Sequence, residues 1–302
     1  MLAPNGFSGQ IPFLSLGSDV GRRVRVRAGR SAVSGAFVVE DVDVDGAAHR
    51  RLVFLANQFL VQSEARLKTV KRKNKSKVVV DFGYVSLYHS FMCVGVPLGN
   101  STSVAVLGLG GGSLCMFLKK CFDNLKITAV DLDPAMLEVA KDDFGLEVDD
   151  RLEVQIKDGF DFLKDEADSG RTYGAVMFDM DSKDSSLGLS CPPPHFLRAE
   201  PLARVAALVP TGHFILNLVC RDTQLQESIM ETLKQHFKHL VTVKLIEEVN
   251  EIVFATNNDS GYTLDNLEAA AKSLNITARQ KNLVNLKCVD LKDFIQSINI
   301  VS

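Results

Sequence analysis

From residue 103 onward, short apolar runs alternate with stretches in which apolar residues recur every three or four positions. A strand buried on both faces reads as a continuous apolar run, and a helix laid against a sheet shows one apolar stripe. The alternation therefore demands a largely parallel sheet wrapped by helices. Strands are predicted at Val104–Leu107, Ile127–Val130, Leu152–Ile156, Ala175–Phe178 and Phe214–Val219. Between them, Leu114, Phe117, Leu118 and Phe122 form one helical face, Met136, Leu137, Ala140 and Phe144 another, and Leu225, Ile229, Leu233 and Phe237 a third. Two late strands, Val241–Ile246 and Glu251–Ala255, are joined by only four residues. A parallel crossover needs a dozen or more, so these two must pair antiparallel.

A parallel five-strand unit closed by an antiparallel hairpin is the sheet plan of Rossmann-like class I methyltransferases, an α/β fold with a seven-stranded sheet; plain dinucleotide folds lack the hairpin. Ahead of it, Arg23–Arg27 alternates, Phe37–Val44 is strand-like, Asp45-Gly46 supplies a turn and Arg51–Leu55 returns, which predicts a small N-terminal β-lobe. The organisation expected is a β-hairpin lobe over residues 1–67, a basic loop over 68–83 and the main domain over 84–302. Tyr84–Val94 is read as a helix entering that domain, ended by Pro97-Leu-Gly-Asn100. Leu264, Leu267, Ala271 and Leu274 mark a late helix, and Leu291–Ile298 a further one.

No apolar run of the 302 residues reaches the roughly 18 needed to span a bilayer, so no membrane partner is expected. Six cysteines, at 93, 115, 121, 191, 220 and 288, form no C-x-x-C pair. They suggest neither zinc nor a disulfide framework, and reduced thiols fit the cytoplasm. Five arginines against one acid in the first 30 residues is the composition of a transit peptide, but the arginines sit more naturally in a basic strand. Residues 1–80 hold 14 Lys/Arg against 6 Asp/Glu in a chain of net charge −3. Their densest stretch, Lys68 to Lys77, has no acid and no aromatic. It reads as a solvated surface loop, the alternative being a dock for an acidic surface or RNA.

The chemistry starts at Gly108, Gly110, Gly111 and Gly112, which follow the first strand of the main domain, with Ser113 opening a helix. Such a turn brings backbone close to a ligand and aims helix N-terminal amides at it. A strict G-x-G-x-x-G would need glycine at 113, so the turn alone is a weak sign. The next strand is followed by Asp131, 23 residues after Gly108, where a carboxylate can accept both ribose hydroxyls of an adenosine. Asp133, before Pro134, is a helix cap. Asp158 and Gly159 close the third strand, with Asp158 either accepting the adenine amino group or capping a helix. Asp179 and Asp181 close the fourth, on the substrate side of the crevice. The same Gly-rich turn and ribose acid would serve NAD.

Several strings make the sequence recognisable. Arg50–Gln58, Val61–Leu67, Val106–Leu114, Phe178–Asp184, Ser190–Pro194, Phe214–Asp222 and Glu248–Ile252 closely resemble the C-terminal half of the methyltransferase-like protein 13 family, with Asp181-Ser-Lys-Asp184 and Asn217-Leu-Val-Cys-Arg-Asp222 the most specific. That family is the dual lysine and N-terminal methyltransferase of translation elongation factor 1-alpha. The resemblance runs from about Ile11 to about Ile300 and reaches only the second of the family's two domains, so it implies a fragment or a shortened relative. It implies methylation of a free α-amine with S-adenosylmethionine and does not imply lysine methylation. It implies cofactor contacts from Gly108, Gly110, Gly112, Asp131, Asp158, Gly159 and Asp179, and an amine site at Asp181 and Asn217, with Asp179 bridging cofactor and substrate. One departure is conservative: Asp131 stands where the family carries Glu. The N-terminal lobe also looks like the hairpin of spermidine synthases, to which the family is distantly similar.

Two competing readings follow. A spermidine synthase-like aminopropyltransferase shares the hairpin and the turn, but Ser113 stands where its motif continues with Asp. A non-catalytic scaffold that binds a translation factor would not need Asp131, Asp179, Asp181 and Asn217 together. Asn217 is otherwise a satisfied polar group at a strand end, and Asp184 a turn residue. The partner expected is the N-terminus of elongation factor 1-alpha, with neither membrane nor nucleic acid and no metal; a homodimer is compatible with the sequence.

Overall fold

The computed structural model describes residues 20–301 apart from 45, 58–59, 73–74, 100, 183–187, 246–247 and 285–287. The predicted turn residue Asp45, the strand end at Ile246, and Lys183 and Asp184 lie outside the described residues.

The front of the chain is a five-stranded antiparallel meander: β1 (Val20–Ser31), β2 (Gly35–Val44), β3 (Ala47–Phe54), β4 (Val61–Arg72) and β5 (Lys75–Val80), paired in that order. This corrects the expected basic loop over 68–83, because Lys68–Arg72 of β4 pairs antiparallel with Lys75–Val79 of β5. Register explains why so many cations tolerate strands. Lys68 lies opposite Val79, Lys77 opposite Val70 and Lys71 opposite Ser76, so each of these lysines has an uncharged register partner.

The main domain opens with helices α1 (Leu87–Cys93) and α2 (Gly95–Leu98), matching the helix expected before the first parallel strand. Parallel strands β6 (Ser103–Leu107), β7 (Lys126–Asp131), β8 (Leu152–Ile156), β9 (Ala175–Phe178) and β11 (His213–Cys220) follow, with β10 (Leu189–Cys191) between the last two in sequence. β12 (His239–Lys244) and β13 (Glu251–Thr256) form the antiparallel hairpin, as the short link required. All seven expected strands are present, but the sheet has nine. β10 pairs with β11, and β14 (Ile298–Val301) pairs with β12 at the edge, giving the order β14-β12-β13-β11-β9-β6-β7-β8. The helix expected over Leu291–Ile298 is accordingly cut short as α9 (Leu291–Gln296), and the last residues join the sheet.

Helices cover both faces. α1, α3 (Ser113–Cys121) and α8 (Leu264–Gln280) bury one face around Phe91, Phe117, Leu267 and Leu274. α5 (Gly159–Asp168), α6 (Ala199–Leu208) and α7 (Thr223–Lys234) bury the other around Phe162, Leu202 and Leu233. Of these, α6 has no counterpart in the sequence-based reading, and α5 is foreshadowed only by the cap reading of Asp158. The chain runs β6, β7, β8 outward and then returns to β9 beside β6, so the order reverses between β6 and β9, where ligands of open α/β sheets bind.

The β-lobe docks on α4 (Pro134–Asp142). Phe37, Val39, Leu52 and Ala65 of the lobe pack with Met136, Val139 and Phe144. Ser31 Oγ donates to Asp133 at 2.6 Å, and Arg27 reaches Asp143 at 3.1 Å and Asp142 at 3.4 Å. Arg27 of β1 thus finds acids across the lobe boundary, whereas Arg23 pairs with Glu40 inside the lobe. Truncation of the fully buried Leu52 to Ala removes side-chain volume from this contact and is expected to cost about 2–5 kcal/mol. Urea unfolding checks this; an unchanged midpoint would show that the lobe is not part of the cooperative unit.

Candidate active site

The Gly-rich turn sits at the strand-order reversal. Gly108 has φ +100°, and a β-carbon on it would stand 2.0 Å from the Asp179 carbonyl oxygen, so no side chain fits where β6 meets β9. Gly110 has φ +49°, and its β-carbon would meet Ser63 Oγ at 2.5 Å. That hydroxyl instead accepts from Gly111 N at 2.8 Å, so β4 of the lobe lies directly on the turn. Gly112 precedes α3 and packs over Leu146.

Asp131 ends β7 beside this turn. Its Oδ2 accepts from Leu109 N and its Oδ1 from Asp133 N, both at 2.9 Å. Burial nevertheless pushes its pKa up, the backbone amides countering only part of that. Asp133 caps α4 through Ala135 N at 3.0 Å, as its position before Pro134 predicts. Asp158 caps α5 through Phe160 N at 2.7 Å, and Gly159 lies against Phe196 and Leu107. The helix-cap reading of Asp158 is therefore present in the structure, one strand outward from Asp131. Leu132 and Ile156 are large apolar residues left 54% and 41% exposed, and Ile156 is the register partner of Asp131. A carboxylate beside two uncovered apolar side chains and a glycine turn suits a nucleoside with a ribose and a flat base.

On the other side of the turn, Asp179 follows β9 and is engaged by both oxygens. His89 Nε2 of α1 lies 2.7 Å from Oδ2, and Asn217 Nδ2 of β11 donates to Oδ1 at 2.9 Å. Asn250, just before β13, donates to Asn217 Oδ1 at 2.8 Å and so fixes which way that amide faces. Burial alone would raise the pKa of Asp179, but attraction to His89 and the hydrogen bonds from His89 and Asn217 outweigh it and hold this carboxyl below the usual range. Asp181 behaves oppositely. Burial, followed by repulsion from Asp179, pushes it up to about 6, against a hydrogen bond from Gln62 of β4.

The structure thus brings Gly108, Gly110, Asp131, Asp179, Asp181 and Asn217 to one end of the parallel sheet. Ser63, Gln62, His89 and Asn250 belong to the same constellation without having been singled out in the sequence. Three of them stand inside the strings Val61–Leu67 and Glu248–Ile252, which was the available signal. His89 carried none, since its partner lies 90 residues away. Among the described residues there is no cluster of His, Cys, Asp or Glu able to hold a metal, and no helix long and apolar enough to cross a membrane.

Residues 86–264 match the family model of the spermine/spermidine synthase domain, which accounts for more than half of the chain. The chain belongs to that family. Within the spermine/spermidine synthase family it is similar to the eEF1A lysine and N-terminal methyltransferase homolog of Drosophila melanogaster, 41% identical over 99% of this chain and 47% of the relative. It is likewise 37% identical to the eEF1A lysine and N-terminal methyltransferase of Homo sapiens, over 99% of this chain and 48% of the relative. The chain spans about half the length of these relatives. Among solved structures, human methyltransferase-like protein 13 in complex with SAH superposes with a TM-score of 0.61 at 38% identity, covering 65% of this chain and 93% of that one. Spermidine synthase from Thermotoga maritima shares the fold, with a TM-score of 0.58 at 15% identity over 90% of this chain and 83% of that one.

The shift at Asp181 has a measurable consequence. Its pKa is raised from the usual 3.8 to about 6, so its contribution to stability is complete below about pH 4 and is lost as pH rises through about 6. Asp181→Asn, which cannot ionise, is expected to be more stable than the parent chain at pH 8 by up to about 3 kcal/mol, the gap closing toward pH 4. Denaturant melts across that range check the sign; a variant less stable at pH 8 would contradict the assigned environment.

Proposed function

We propose that this chain is an S-adenosylmethionine-dependent protein methyltransferase that methylates the free N-terminal α-amine of translation elongation factor 1-alpha in the cytoplasm. The observation that carries the reading is the pair of carboxylates with opposed environments, Asp179 and Asp181, next to a glycine turn and a buried ribose-type acid. The relatives are named for both lysine and N-terminal methylation of eEF1A, and the human structure binds SAH, the cofactor after its methyl group has left.

When bound, S-adenosylmethionine supplies an electrophilic methyl group. This chain's residues do the rest. Gly108, Gly110 and Gly112 let the backbone approach the cofactor, Asp131 receives its ribose hydroxyls, and Asp158 with Gly159 borders the base. The nucleophile must be a neutral amine. An α-amine has a reference pKa of about 7.7–8.0 against about 10.4 for lysine, so little deprotonation work is left to the site. Asp181, pushed up to about 6, is a base of suitable strength to take that proton, and Asn217 orients the nitrogen by hydrogen bonding. Placing amine and methyl group in line supplies most of the acceleration. In this reading the β-lobe is a wall of the site, because Ser63 and Gln62 reach the turn and Asp181.

The match to the spermine/spermidine synthase domain favours one other reading, aminopropyl transfer to a polyamine. Mass spectrometry of elongation factor 1-alpha with a free N-terminus, incubated with the chain and S-adenosylmethionine, separates the two. One to three methyl groups on the N-terminal peptide are expected, with Asp181→Ala slower by about 100-fold or more. No added mass on that peptide, together with turnover of putrescine and the decarboxylated cofactor, would replace the first reading by the second.

A further inference from the structure

The network around Asp179 contains a residue that neither the expected site nor the reaction as outlined uses. His89 belongs to α1, before the first parallel strand, and its side chain is only 12% exposed. Its Nε2 lies 2.7 Å from Asp179 Oδ2, while Nδ1 is buried without a hydrogen-bond partner among the described residues. A ring placed for general polar packing would satisfy both nitrogens. Here the one hydrogen bond of the imidazole among the described residues goes to a carboxylate oxygen, and the ring is braced by Tyr88, whose ring centroid is 4.1 Å away.

We infer that His89 is a positioning residue for the transfer: by donating from Nε2 to Asp179 it fixes the orientation of that carboxylate and leaves Asp181 as the carboxylate that receives the amine proton. The inference rests on the methyltransferase reading for its chemistry and on geometry for its residue. Two neighbouring carboxylates cannot both sit ionised in a buried site without compensation. Donors converge on Asp179 from α1 and β11, whereas Asp181 receives Gln62 alone among the groups acting on its acidity. The other titratable groups coupled to this pair are Tyr88 of α1, Cys115 of α3 and Cys191 of β10, a phenol and two thiols that burial keeps neutral and that in no protonation state carry positive charge. That leaves His89 as the only residue in this set able to donate with positive character. The proton balance is simple: the ammonium loses one proton to Asp181, the neutral amine forms the new N–C bond as the methyl–sulfur bond breaks, and Asp181 returns the proton to solvent.

The test compares His89→Ala with His89→Gln, whose amide nitrogen can donate to Asp179 from a similar reach. His89→Ala is expected to lower kcat about tenfold or more with the KM for S-adenosylmethionine little changed, and His89→Gln to recover most of the loss. In parallel, carbon-13 NMR of aspartate-labelled protein, with Asp179→Asn for assignment, follows the carboxyl titration. Asp179 is expected to titrate at higher pH in His89→Ala and to return toward its original position in His89→Gln. Unchanged kcat in His89→Ala, Gln no better than Ala, or an unmoved Asp179 titration would each overturn the inference, because a helix residue of merely structural value predicts those results. An inactive parent chain would instead defeat the methyltransferase reading, and the NMR titration would still decide the role of His89.

Discussion

The site is organised by one half-buried carboxylate, Asp179, whose two oxygens are held from different elements. A buried carboxylate is tolerated only when donors compensate its lost hydration. The required donors here come from α1 and β11, so the helix that enters the domain and the parallel strand next to β9 are both tied to the end of β9. Gly108 follows from the same constraint: its missing side chain lets β6 turn against the Asp179 carbonyl, which sets the glycine turn beside the acid pair. Asn250 extends the network to β13, whose antiparallel pairing places it beside Asn217.

The β-lobe belongs to the same chemistry. Its sheet is held by a small apolar cluster on α4 and by Ser31 and Arg27 reaching acids there, and that docking carries β4 over the turn. Ser63 then fills the space that a side chain at Gly110 would occupy, and Gln62 meets Asp181. Separating the lobe from the domain would therefore take Ser63 away from the glycine turn and Gln62 away from Asp181.

Much of the frame was legible in the residues. The parallel strands are continuous apolar runs because they are buried on both faces, and the four-residue link forced the hairpin. The spacing from Gly108 to Asp131 foretold that the turn and the acid would meet, and Leu109 N bonds to Asp131. What escaped reading depended on partners distant in the chain. Lys68–Lys77 looked like a loop because its cations hid an alternation that only the register with Val78–Val80 reveals. β10 and β14 are three and four residues long and owe their strand geometry to a neighbour's open edge. His89 is a single residue with no local pattern, and its meaning lies in Asp179 alone.

The account stands on the claim that cofactor and amine meet between the glycine turn and the Asp179–Asp181 pair. A crystal structure of the chain with S-adenosylhomocysteine and a peptide bearing a free N-terminus tests this directly. The account predicts ribose hydroxyls on Asp131, the cofactor sulfur facing Asp179, and the peptide nitrogen within hydrogen-bond distance of Asp181 and Asn217. A nucleoside bound elsewhere on the sheet, or a terminus seated away from Asp181, would contradict it.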